Sequence, residues 1–130
     1  IIEKFPNLLK GIRYQIGNTA ELVKDSNIVL LHTSTSFSFA VLFNKPTVFL
    51  TSNKLRNSRL GPRIDTFAKV VNGQLINMNN DFNKHINLQS LSKFDESKYK
   101  NYLDQHLKVP YSPDIPLWEI VTNYIKRKQL

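Results

Sequence analysis

Residues 28–51 read IVLLHTSTSFSFAVLFNKPTVFLT, and this stretch decides the fold. Ile28 to Leu31 is an apolar run without alternation, the pattern of a parallel strand buried on both faces. His32 to Ser36 is polar and mostly hydroxyl. Phe37 to Phe43 is apolar at nearly every position except Ser38, as in a helix buried all round. Asn44-Lys45-Pro46 ends that helix, because Asn tolerates the left-handed position after the last turn and Pro cannot continue it. Thr47 to Thr51 then reads as a second buried strand. Strand, helix and strand, joined by a connection of about 15 residues, predict a right-handed βαβ unit with parallel strands.

Upstream, Ile12 to Ile16 (IRYQI) alternates as a half-buried strand does, and Gly17 ends it. Asn18-Thr19-Ala20-Glu21 has the form of a capping box, which predicts a short helix to about Lys24. Asp25-Ser26-Asn27 breaks the chain before the first buried strand. Downstream, Asn53 to Arg63 reads as a polar, basic loop, Ile64 to Val71 as a short helix, and Gly73 to Met78 as a strand near the sheet edge. Asn79 to Ser92 reads as loop with a short helix, and Ser97 to Leu107 as a helix. After Pro110, Pro113 and Pro116, the helical spacing of Leu117, Val121, Tyr124 and Ile125 predicts a last helix whose Trp118 and Tyr124 pack into the core. The sum is an α/β domain with a Rossmann-like, open, mostly parallel sheet flanked by helices.

The chain has 130 residues, 41% of them hydrophobic, enough for one domain over residues 1–130. Its first residue is Ile and its only Met is Met78, which suits a piece of a longer protein. Zero Cys excludes disulfides, Cys-ligated metal and thiol catalysis. The longest apolar run, Phe39 to Phe43, is far below the roughly 20 residues that cross a bilayer, and the first residues lack the apolar core of a signal peptide. These features suit a cytoplasmic place. The formal net charge of +8 implies attraction to phosphates, whether of nucleic acid, nucleotide or anionic lipid. The cations are dispersed and no helix-turn-helix or RNA-binding signature occurs, so a basic nucleic-acid-binding module is the weaker alternative. Lys126-Arg127-Lys128, on an amphipathic helix, suits peripheral contact with the inner face of the cell membrane.

In an open parallel sheet, ligands bind at the carboxyl ends of the strands. That rule selects His32 to Ser36, Thr51 to Lys54 and Asn79 to Asp81; Lys45 lies at the opposite end. Thr33, Ser34, Thr35 and Ser36 stand at a helix start, where hydroxyls and unpaired N–H groups form a phosphate cradle or simply cap the helix. His32 is a candidate phosphate ligand or proton shuttle, or a satisfied strand-end histidine. Lys54 and Arg56, with Arg59 and Arg63, are placed to close over a diphosphate or to form a solvated basic loop. Neither G-x-G-x-x-G nor the P-loop pattern occurs, which excludes the common dinucleotide and P-loop sites. No His pair has metal-ligand spacing and no two Asp are separated by one residue, so no metal or other cofactor is expected; His85 and His106 receive no role.

Glu21 to Leu31, then Thr33-Ser34-Thr35-Ser36, then Ala40 to Leu50 resemble the C-terminal, nucleotide-sugar-binding half of GT-B-fold glycosyltransferases, in particular those of bacterial surface and capsular polysaccharide biosynthesis. The shared pattern is a short helix, a buried strand, a hydroxyl-rich turn, an Ala-containing helix, then Lys-Pro and another buried strand. It covers about residues 12 to 52. Nucleotide-sugar epimerases and teichoic-acid-type polymerases share this grammar, often with Gly in the turn; Ser and Thr there favour the polysaccharide branch. The resemblance implies a metal-independent transferase that holds the phosphates of its nucleotide-sugar donor at Thr33 to Ser36. It also implies that a saccharide or lipid-linked acceptor, and the catalytic base, belong to an N-terminal domain outside this chain. The piece alone is then expected to be inactive.

Overall fold

The computed structural model describes residues 11–12, 15–81 and 87–128. Along them run α1 (Thr19–Asp25), β1 (Val29–Leu31), α2 (Ser36–Leu42), β2 (Thr47–Thr51), α3 (Asn53–Arg56), α4 (Gly61–Val70), β3 (Gln74–Asn77), α5 (Leu88–Leu91), α6 (Glu96–Tyr102) and α7 (Leu117–Lys128). The strands form one sheet in the order β1-β2-β3, and both pairings are parallel. This is the Rossmann-like α/β arrangement that residues 28–51 predict.

The register sets Leu31 opposite Phe49 and Phe49 opposite Leu75. Side chains alternate along a strand, so Thr47, Phe49 and Thr51 share one face of the sheet. On that face Phe37 of α2, only 1% exposed, is the centre of the core. Its ring lies 5.6 Å from Phe49, 5.1 Å from Phe67 of α4 and 5.0 Å from Tyr102 of α6, centroid to centroid. Offset and edge-on ring pairs at such distances are favourable beyond the area they bury. Ala40, Val41, Ile64, Ala68 and Val71 fill the remaining space.

Tyr99 fastens α6 to the opposite end of the sheet. Its buried hydroxyl donates to the Lys45 carbonyl at 2.9 Å and meets the Thr47 hydroxyl at 2.8 Å. Burial pushes the phenol pKa up, which keeps it a protonated donor. Beyond Tyr102 the helix widens into a π-helical turn, Leu103–Leu107, where His106 packs against the Tyr102 ring.

Helices α2 and α4 stop in the same way. Asn44 and Asn72 both take φ 52°, and the N–H groups of the residues that follow reach back to Ala40 and Ala68 at 2.8 Å. Both ends are Schellman motifs with Asn in the left-handed position, as expected for Asn44. Gly73, after the second of them, packs so closely on Phe49 that a Cβ would stand 2.7 Å from the ring.

Several expectations are corrected. Ile12, Gln15 and Ile16 are not in a strand; Arg13 and Tyr14 lie outside the described residues, as does His85. Asn18 starts α1 without a side-chain cap, because its φ of 50° is left-handed, whereas a capping side chain needs extended backbone there. β1 is buried on one face only: Leu30 is 59% exposed, since β1 is an edge strand of the described sheet and that side of it is uncovered. Residues 53–63 are no loop but α3, a turn and the start of α4. Trp118 and Tyr124 are no core residues, for α7 buries none of its side chains.

Phe37→Ala is expected to cost about 3–5 kcal/mol in urea unfolding and Phe37→Leu much less. Tyr99→Phe strands the Thr47 hydroxyl and the Lys45 carbonyl, with an expected loss of about 1–3 kcal/mol.

Candidate functional site

Leu31 is level with Phe49, while β2 runs on to Thr51. The chain therefore leaves β1 early, and the hydroxyl turn opens beside the last residues of β2. Within the turn, Ser34 is the capping group: its Oγ accepts from the Ser36 N–H at 3.2 Å and donates to the Ser36 hydroxyl at 3.1 Å. The Phe37 N–H bonds the Ser34 carbonyl at 3.2 Å and the Ser38 N–H the Thr35 carbonyl at 3.0 Å. The first amides of α2 are thus satisfied by the turn itself. Thr35 makes no side-chain capping bond and is exposed, so its hydroxyl remains to meet a ligand.

His32 is exposed and shaped by its neighbour. The Thr33 N–H donates to its Nδ1 at 2.7 Å, and the Thr33 hydroxyl lies 3.2 Å from the same atom. A nitrogen that accepts an N–H carries no proton, so the neutral ring holds its proton on Nε2. The imidazole then offers a donor, suited to an anionic oxygen.

After β2, Ser52 caps α3 by accepting from the Leu55 N–H at 3.2 Å. Lys54 is exposed and has no ion-pair partner among the described residues. Arg56, in contrast, is bound by Asp65 of α4 at 3.2 Å. Arg63 lies over the Phe67 ring at 5.4 Å. Of the four cations read as one basic group, two are therefore engaged with α4, and the notion of a free loop closing on a diphosphate is narrowed to Lys54 and Arg59.

The loops after β2 and β3 are joined by asparagines. Asn77 donates from Nδ2 to Asn53 Oδ1 at 2.8 Å, and the Asn53 N–H donates to Asn79 Oδ1 at 2.8 Å. The Asn79 N–H closes on Asn77 Oδ1 at 3.0 Å, and Asp81 accepts from the Asn77 N–H at 2.9 Å. Residues 79–81 were selected by strand-end position, but the pairing of Asn53 with Asn77 was not foreseen. Its only trace in the sequence is the density of Asn where two strands end.

Thr51 is 2% exposed, and its Oγ1 is buried with no hydrogen-bond partner among the described residues. An unpaired buried hydroxyl costs about 1–3 kcal/mol. It lies on the α2 and α4 side of the sheet, at the carboxyl edge. Two larger grooves, of about 650 and 570 Å³, run along residues 100–120 and away from this edge. Among the described residues no three His, Asp or Glu side chains are grouped to hold a metal ion.

The carboxyl edge thus gathers hydroxyls, an imidazole N–H and an ammonium, while its carboxylate, Asp81, is taken up by the Asn77 amide. Such a donor-rich surface suits phosphate or sugar oxygens. No protein family, no curated protein and no solved structure matches the chain.

Asn77→Asp removes the donor to Asn53 and sets a carboxylate against its carbonyl oxygen. The expected result is a loss of about 1–3 kcal/mol and faster amide exchange at Asn53 and Asn79, followed by NMR.

Proposed function

We propose that the chain is the donor-binding domain of a glycosyltransferase of surface polysaccharide biosynthesis, and that it holds the phosphates of a nucleotide-activated sugar at Thr33 to Ser36. The observation that carries this reading is the position of the hydroxyl turn. The stretch that resembles these transferases folds as α1-β1-α2-β2 with parallel strands, and its S-T-S turn stands at the carboxyl edge, where open α/β sheets bind ligands.

In this reading the contacts fall to the groups that are still available. Because Ser34 and the backbone of the turn satisfy the α2 amides, and the Thr33 hydroxyl bonds His32 Nδ1, phosphate oxygens are then met by the Thr35 hydroxyl, the His32 Nε2–H and the Lys54 ammonium. Ser34 acts by holding the turn in shape. The charge of the leaving diphosphate is met here by side-chain donors and a cation rather than by a resident metal. In this reading the acceptor and the general base are presented by a second lobe, and the single edge binds the donor weakly.

Titration of the labelled chain with UDP, GDP, CMP and their sugar conjugates is expected to shift the amides of residues 32–36 and 52–54 by NMR. Thr35→Val is expected to weaken that binding several-fold while leaving thermal unfolding unchanged, whereas Ser34→Ala lowers stability by about 1 kcal/mol through the lost cap. No shift with any of these nucleotides would overturn the reading. Binding to oligonucleotides with a steep salt dependence would replace it by the nucleic-acid module.

A further inference from the structure

Helix α7 is amphipathic, yet the domain leaves its apolar stripe open. At 100° per residue Leu117, Val121 and Tyr124 form one line, Trp118 and Ile125 flank it on one side, and Glu119, Thr122, Asn123 and Lys126 lie opposite. Leu117 and Ile120 border a groove shared with Leu42 and Leu107, so one margin of the stripe turns toward the domain. Val121 is half-buried on the same margin, while Leu117 is still 69% exposed, Trp118 77%, Tyr124 62% and Ile125 50%. An apolar patch of this kind on a helix needs a partner.

The charges around the stripe choose among partners. Lys126, Arg127 and Lys128 occupy the last turn, and Glu119 is the helix's one acid. Lys128 reaches along the stripe, its ammonium 5.8 Å from the Tyr124 ring. Long cations that edge an apolar face keep their heads in water while their stems lie on it. Trp and Tyr suit the same boundary, since each has an apolar body and a polar tip. A second copy of the chain would bring the same +8 charge and the same three cations against it, which disfavours self-pairing. No described helix is long and apolar enough to cross a membrane, but lying on one needs only one apolar face.

We infer that α7 is a membrane-surface helix, which docks in the plane of an anionic bilayer with Trp118, Tyr124 and Ile125 in the headgroup boundary and Arg127 and Lys128 on lipid phosphates, while Lys126 faces the water. The inference is independent of what the carboxyl edge binds. A protein that works on lipid-linked sugars gains from such a contact, and so does any other that works at a membrane.

Trp118 is the only Trp in the chain, so its fluorescence reports on α7 alone. The full chain, mixed with vesicles of phosphatidylcholine and phosphatidylglycerol in equal parts, is expected to co-sediment with them, and the Trp118 emission to shift to the blue. Vesicles of phosphatidylcholine alone, or raised salt, reduce both effects. Replacing Arg127 and Lys128 by Gln together lowers partitioning on the order of 25-fold, at roughly fivefold per cation. Ile125→Asp removes the blue shift. These side chains are exposed, so circular dichroism in buffer stays unchanged in each variant. Three results would each overturn the inference: no co-sedimentation with anionic vesicles, partitioning that the double variant leaves intact, or a blue shift that follows protein concentration without lipid, which would assign the stripe to a second copy.

Discussion

Everything on the described face of the sheet depends on where Phe37 is held. One ring meets β2, α4 and α6 at once, through Phe49, Phe67 and Tyr102. Phe37 is also the residue after the Ser34–Ser36 cap, so the same contact that builds the core fixes the hydroxyl turn. A turn of four small polar residues would otherwise have no reason to keep one shape. Here its downstream end is immobilised by a buried aromatic and its upstream end by Leu31 in the sheet. The arrangement places stiffness one residue away from the groups that meet solvent.

The carboxyl edge repeats this logic with polar groups. Asn53, Asn77 and Asn79 tie the second and third loops together, and each of the three side-chain oxygens accepts a bond within the clasp. The clasp is therefore a frame, and the groups left for chemistry are those it does not consume: Thr35, the His32 Nε2–H and Lys54. The buried, unpaired Thr51 hydroxyl is the exception. Native interiors seldom leave such a group without a partner, and this one stands at the end of β2 where the chain turns into α3.

Much of this was legible because local rules and the global fold agree over residues 28–51. The apolar runs, the Asn at the end of α2 and the Pro before β2 all point to one answer, and the structure gives that answer. The failures have separate physical causes. Asn18 carries the capping-box pattern, but backbone dihedrals decide whether a side chain can cap, and a left-handed φ is not written in residue types. Arg56 reads as a solvent cation, since nothing local says that Asp65 folds back beneath it, whereas Arg63 meets Phe67 as an i, i+4 pair because α4 begins at Gly61, earlier than the pattern predicts. Asn53 and Asn77 stand 24 residues apart, and only the parallel register brings them together. Residue type announced donors at the carboxyl edge; long-range packing decided which of them are still unspent.

The remaining error concerns what an amphipathic pattern means. Leu30 in β1 and Trp118 in α7 were both assigned to the core, and both are largely exposed. Periodicity reports that a surface is apolar along one line, and it is silent on what lies under that line. For β1 the apolar face is continued by Leu50, Ile76 and Met78 and bordered by Leu88 and Leu91 of α5, with no charge in the lining. For α7 the stripe ends in three cations and carries the chain's only Trp. Two faces equally apolar in sequence thus differ in their borders, one uncharged and the other cationic, and that difference is set by which residues the fold brings beside each face rather than by the apolar period itself.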